Sequence, residues 1–179
     1  MRNILDIWKI YNFPICVVGG GPNAEEDIKR VPKGTRFIGV NHHCDYFLTE
    51  TLFNVFTDIP LAGHVTEFCH MATTISGKRV CPIPDYSDWD IEALNFKDFG
   101  FTAPLAIRLG TYITTRIVYL AGFDLWQSKE TQTHFYKHEP DNKEHLGDLD
   151  HSLKVWGEVF EELPRWRLRV LSGPLKELI

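Results

Sequence analysis

Pro14-Ile-Cys-Val-Val-Gly-Gly-Gly-Pro-Asn23 runs from a short apolar segment straight into three glycines and a proline. Ile15 to Val18 form a continuous apolar run, the pattern of a strand covered on both faces in a parallel sheet. Gly19, Gly20 and Gly21 supply unusual dihedrals and remove side chains, so that backbone amides can approach an anion at the start of the next helix. Ala24 to Val31 reads as that helix, with acids in its first turn, bases in its last, and Asn23 as its cap. Pro32-Lys-Gly34 ends it, and Arg36 to Asn41 reads as a second strand. Strand, glycine turn, helix and strand in so short a span make a β-α-β unit with a phosphate turn.

Downstream, Leu52 to Asp58 reads as a third strand ending on polar residues, and helical spacing follows through Ala62, Val65, Phe68, Cys69 and Ala72. Lys78 to Ile83 reads as a short strand near an edge, because Pro82 cannot donate to a central ladder. Residues 84–99 are rich in Pro, Asp and Ser and read as an irregular surface loop. Thr102 is a candidate cap or pre-cap for a helix over Ala103 to about Ile113, with Pro104 in its first turn. Arg116 to Asp124 reads as an apolar strand ending in Gly-Phe-Asp. Residues 126–150 have the polar, histidine-bearing composition of a functional loop or lid. Leu153, Trp156, Phe160 and Leu163 then recur at helical spacing before a last strand, Arg167 to Leu171. Alternating strands and helices predict a single α/β domain, a Rossmann-like, doubly wound and mostly parallel sheet with helices on both faces. Its ligands should collect at the strand ends marked by Gly19, Asn41, Asp58 and Asp124.

The 179 residues suit one domain that buries roughly two-thirds of its surface without disulfide or metal staples. A net charge of −5 disfavours nonspecific binding to duplex nucleic acid. Cys16, Cys44, Cys69 and Cys81 are widely spaced, contain no C-x-x-C pair, and suit buried thiols in a reducing, cytoplasmic compartment. Asp6 and Lys9 interrupt the apolar N-terminal residues, so neither a secretory signal nor a transmembrane segment is expected there. Ile4, Ile7, Trp8 and Tyr11 read as an amphipathic turn that docks on the domain rather than on a membrane.

Gly19-x-Gly21-x-x-Ala24 satisfies the dinucleotide fingerprint, which admits an oxidoreductase using NAD or FAD. The acid that should hold the adenosine ribose at the end of the second strand is replaced by Asn41. Another alternative is a glycine turn that only tightens a strand–helix junction.

The order Gly-Gly-Gly-Pro-Asn23, strand-Asn41, Asp58, Thr102-Ala and Tyr119-Leu-Ala-Gly-Phe-Asp124 resembles the bacterial sialyltransferases that modify lipooligosaccharide. A weaker similarity links the glycine-proline turn to the motility accessory factor and pterin pyrophosphokinase-like family. The first resemblance implies a Rossmann-like A-type glycosyltransferase that takes a CMP-linked sugar without a metal or cofactor. It places Gly19, Gly20, Gly21, Pro22 and Asn23 on the phosphate or ribose, Asn41 and Asp58 on nucleotide polar groups, and Thr102 with Ala103 on the anionic part of the donor. Gly20 stands where the family has asparagine. Trp126 stands where it has a tyrosine that assists the departing phosphate, with Tyr136 nearby as a second candidate.

The family's general base is a histidine just before the late helix, and His145 and His151 are the candidates here. Histidine suits the task because its unperturbed pKa lies near neutrality. A solvated or capping role remains open for each. His134, His138, His145 and His151 fit no standard metal pattern, and no metal site is expected. His42-His43 either lines the cleft or belongs to a plain loop. The expected partners are a nucleotide or nucleotide-sugar and a hydroxyl acceptor, and the alternative function is a nucleotide-binding or sensing module without transfer chemistry.

Overall fold

The structure is a computed structural model and describes residues 2–3, 11–41, 50–56, 78–80, 89–90, 101–125 and 149–179. Its elements in chain order are β1 (Arg2–Asn3), β2 (Ile15–Val18), α1 (Ala24–Lys29), β3 (Arg36–Val40), β4 (Phe53–Val55), β5 (Lys78–Val80), β6 (Trp89–Asp90), α2 (Thr102–Ile113), β7 (Val118–Ala121), α3 (Leu149–Glu161) and β8 (Leu168–Val170). Short 3-10 segments at Arg165–Arg167 and Pro174–Leu178 flank β8.

All the described strands form one sheet in the order β1-β6-β5-β4-β3-β2-β7-β8, and every pairing is parallel. The central strand explains its own sequence. Ile15 and Val17 face a core with Ala106, Ile107, Trp156 and Phe160 from α2 and α3. Cys16 and Val18 face the other side, against Ile28 of α1, Val31, Phe37 and Tyr119. Both faces are covered, so no polar position interrupts the run. The sheet is doubly wound, as the alternation of strands and helices predicts.

The chain leaves β2 toward β3, whereas β7 lies on the other flank of β2 and continues to β8. The connections therefore part at the adjacent β2 and β7. In an open parallel sheet this switch point, at the carboxyl ends of the strands, is where a ligand crevice forms.

Four local readings are corrected. Asn23 makes no side-chain cap to α1, because its amide is drawn to Asp124 instead. Thr102 is the first helical residue of α2, and the extended Phe101 holds the cap position. β5 is the third strand from its edge, since β6 and β1 add beyond it. β6 itself lies in the stretch that reads as irregular loop, and its two residues are too few to register as a period. Tyr11 forms an isolated parallel bridge with Thr114 and stacks on Phe13. The expected helix over residues 62–72, the amphipathic residues 4–10, Pro82, and Cys44, Cys69 and Cys81 lie outside the described residues. Cys16 is a free, buried thiol.

Arg167 ties the amino-terminal edge of the sheet together. Its Nη1 donates to Thr111 O at 3.0 Å, its Nη2 to Thr114 O and to Arg116 O at 3.1 Å, and its Nε to Arg116 O at 3.2 Å. The carbonyls at the end of α2 have no partner within the helix, and a cation there also opposes the helix dipole. Lysine keeps the charge but loses the planar fork. Arg167→Lys is expected to cost about 1.5–3 kcal/mol, the worth of a charged hydrogen bond and the carbonyl it leaves bare. A urea-midpoint comparison measures this, and an unchanged midpoint would mean that charge alone suffices.

Candidate functional site at the carboxyl ends of the strands

The glycine turn after β2 closes on the chain's own backbone. Gly19 N–H donates to Ala121 O at 2.9 Å and Gly21 N–H to Gly122 O at 2.8 Å. Asn23 grips Asp124 twice, through its backbone N–H to Oδ2 at 2.8 Å and its Nδ2 to Oδ1 at 2.9 Å. Among the described residues the left-handed glycines are Gly34, Gly122 and Gly173, so Gly19 to Gly21 are not used for unusual dihedrals. Gly19 and Gly21 are needed because a Cβ on Gly19 would lie 2.8 Å from Gly122 O, and one on Gly21 2.5 Å from Asp124 Oδ2 and 2.6 Å from Gly122 O. The amide of Gly20 is the one in this turn that none of these bonds uses.

Asn41 follows β3 directly, with φ of 53° and its backbone N–H bonded to Val55 O at 2.8 Å. Its Oδ1 is shielded from solvent and has no hydrogen-bond partner among the described residues. Such an atom is costly to bury, and a donor brought by a ligand would relieve it. Thr102 and Ala103 begin α2, which crosses β2, β3, β4 and β7 with its amino terminus at the carboxyl side of the sheet. Thr102 is buried and Ala103 partly so. The first turn of α2 aims the amides of Thr102, Ala103 and Leu105 at this side, Pro104 having none to offer.

His151 sits exposed in the first turn of α3. Trp156 fixes that helix by edge contacts to Phe101 at 5.3 Å and Phe123 at 5.5 Å, one beside the start of α2 and the other after β7. From the rise of a helix, His151 lies roughly 7 Å further along the axis than Trp156, beyond the sheet's carboxyl edge. The fold thus gathers the glycine turn, Asn41, the start of α2 and the start of α3 on one side. Asp58, Trp126, Tyr136, His145 and the pairs around His42 and His134 lie outside the described residues.

Sequence reasoning missed Asp27 and Ser172. Ser172 Oγ contacts Asp27 Oδ2 at 2.5 Å and also Asp124 Oδ1, while Gly122 N–H donates to Asp27 Oδ2 at 3.0 Å. Arg30 reaches Asp27 Oδ1 at 3.1 Å and Leu171 O at 2.8 Å. Asp27 reads in sequence as one of several dipole-compensating acids, and nothing local separates it from Glu25 and Glu26. Burial pushes the Asp27 carboxyl above its usual range, against the hydrogen bonds from Ser172 and Gly122. Burial, and then the Asp27 charge, push the Cys16 thiol far upward, so it is no nucleophile.

Among the described residues no group of three His, Cys, Asp or Glu gathers as a metal site, and no helix is long and apolar enough to cross a membrane.

No protein-family model matches the sequence, and no curated protein matches it. Solved structures do. The sialyltransferase CstII from Campylobacter jejuni, in complex with the substrate analogue cytidine-5'-monophosphate, superposes with a TM-score of 0.65 at 15% identity, over 93% of this chain and 84% of that one. CST-II with a trisaccharide acceptor and CMP gives 0.57 at 14% identity, over 88% and 80%. The monofunctional alpha-2,3-sialyltransferase Cst-I from Campylobacter jejuni gives 0.59 at 14% identity, over 89% and 76%. The chain has the fold of these proteins.

Proposed function

We propose that the chain is a metal-independent glycosyltransferase that uses a nucleotide-activated, CMP-linked sugar. The observation that carries this reading is the Oδ1 of Asn41, a buried acceptor without a partner among the described residues, at the strand end where a dinucleotide enzyme would have an acid. A neutral amide cannot offer the bidentate carboxylate that two ribose hydroxyls of NAD take, but it can accept one donor from a nucleotide. The shared fold, found in proteins solved with CMP, supports the same ligand class.

In this reading Gly20 and the turn from Gly19 to Asn23 face the phosphate, with Asn41 and Asp58 on nucleotide polar groups. Thr102, Ala103 and the amides behind them meet the anionic part of the donor. His151 or His145 takes the proton from an acceptor hydroxyl. The freed oxygen pair bonds to the anomeric carbon of the donor, and the bond to phosphate breaks with its electrons leaving on CMP. Trp126 or Tyr136 shields that departing group. Every proton and electron pair is placed without a redox partner.

A binding module without transfer chemistry is the second reading. It is favoured by the commitment of the Gly19, Gly21 and Asn23 amides to the chain's own oxygens.

A thermal-shift panel separates these readings, because a ligand that binds only the folded state raises Tm with its concentration over Kd. CMP is expected to raise Tm, and NAD and FAD to leave it unchanged. Asn41→Gly removes the side chain while tolerating the positive φ, and is expected to weaken CMP by up to about tenfold, one good hydrogen bond. Slow hydrolysis of a CMP-sugar, abolished in His151→Ala or His145→Ala, identifies the base. Binding of CMP without turnover of any donor would favour the module, and a response to NAD or FAD with none to CMP would sink the transferase reading.

A further inference from the structure

The contacts around Ser172 require more protons than the residues carry when ionised. Its single hydroxyl hydrogen can serve one acceptor, yet Oγ lies at hydrogen-bond distance from carboxyl oxygens of both Asp27 and Asp124. All three side chains are buried, with Asp27 0%, Asp124 5% and Ser172 8% exposed. A proton on the Asp27 carboxyl, donated to Oγ while the hydroxyl donates to Asp124, satisfies both contacts.

We propose that Asp27 and Asp124 share one proton across Ser172, and that this proton fixes the glycine turn as a positioning device for the carboxyl-side site. Asp27 sits on α1, Asp124 follows β7 and Ser172 follows β8, so the bridge joins three segments. Asp124 in turn holds both donors of Asn23, and Asp27 holds the N–H of Gly122, whose carbonyl receives Gly21 N–H.

The surroundings keep the proton in place. Asp27 meets Arg30 on its own helix, but that guanidinium is half exposed and screened. Beneath it on β2 lies the neutral thiol of Cys16. Among the described residues, from the β7 and β8 ends it meets Asp124, Ser172 and the Gly122 amide. Removal of the proton would leave two buried carboxylates on one hydroxyl, like charges in a poorly polarisable place. The direction of the Asp27 shift agrees, since burial is its largest cause.

The sign of the pH effect follows. A carboxyl that holds its proton more tightly folded than unfolded gives stability that is complete below the ordinary aspartate pKa and lost as pH rises through the folded value. The folding equilibrium constant should fall by up to about tenfold per pH unit across that window, then level off.

The test is denaturant stability of the full chain from the ordinary aspartate pKa to mildly alkaline pH, in wild type, Asp27→Asn and Asp124→Asn. The wild type is expected to lose stability with rising pH, and either amide variant, having one ionisable group fewer, to lose that decline. Carbon-13 carboxyl titration by NMR in the wild type needs no variant to fold, and is expected to show the Asp27 carboxyl protonated above the ordinary range. Ionisation of the Asp27 carboxyl within the ordinary range, with a flat stability profile above it, would overturn the proposal. CMP affinity measured over the same pH range is the functional readout, and it alone rests on the proposed nucleotide site. It should weaken with pH more in wild type than in Asp27→Asn, the change common to both belonging to the second ionisation of the CMP phosphate. Absence of CMP binding at every pH counts against the proposed function, whereas the carboxyl titration decides the bridge.

Discussion

Gly122→Ala is expected to destabilise the protein by about 2–5 kcal/mol, because two separate costs fall on one methyl group. Gly122 has φ of 69°, a left-handed conformation that costs an L-residue with a Cβ about 1–2 kcal/mol. A Cβ there would also lie 2.7 Å from Ala24 Cβ and 2.8 Å from Gly19 O. The neighbours cannot yield, since Ala24 is fully buried and Gly19 is bonded to the adjacent strand. Forcing such contacts costs about 1–3 kcal/mol more. The urea midpoint should fall with the m-value unchanged. Gly157→Ala is the control. It lies within α3 and a Cβ there meets nothing within 4 Å, so it should gain about 0.5–1 kcal/mol. Equal losses in the two variants would sink the close-approach argument.

Trp156→Ala should cost about 3–5 kcal/mol, the range for truncating a large buried aromatic. The indole is only 5% exposed and meets Phe101, Phe123 and Phe160 with centroids 5.3, 5.5 and 5.4 Å away. No single neighbour can fill the void, because each ring is held by a different element. Trp156→Phe keeps ring contacts and should recover more than half of the loss. Trp156 also sets where α3 begins relative to α2, and hence where His151 stands. Transfer or hydrolysis of a CMP-sugar by Trp156→Phe should therefore fall more than CMP binding does. A loss in Trp156→Ala below about 1 kcal/mol would show that α3 repacks freely.

The fold was legible in sequence where covering on two faces leaves a continuous apolar run. Ile15 to Val18 and Val118 to Ala121 are both strands, and the order of strands and helices carries the parallel, doubly wound class. β1 and β6 were not legible, since two residues carry no period. The site was legible in place more than in contact. Gly19, Asn41 and Thr102 do come to the carboxyl side, because strand ends and helix starts follow from connectivity. What Asn23 binds did not follow, since the acceptor is 101 residues away and only the closed sheet brings it near. The same reason hid Asp27 and Ser172. Their identities as acid and hydroxyl are common on surfaces, and only burial makes them informative.

The bonds that shape the glycine turn have a bearing on the order in which the chain folds. Asn23 joins Asp124, Arg30 joins Leu171 and Asp27 joins Ser172 across separations of 101, 141 and 145 residues. Closing such loops costs entropy before any contact repays it, so contacts of this kind form slowly. The β2-α1-β3 unit can assemble from neighbours, yet its turn lacks its fixing partners until β7 and β8 have joined the sheet. The stretch most easily recognised in the linear sequence is thus among the last to reach its final shape, and an ordered turn is a sign that the whole sheet has closed.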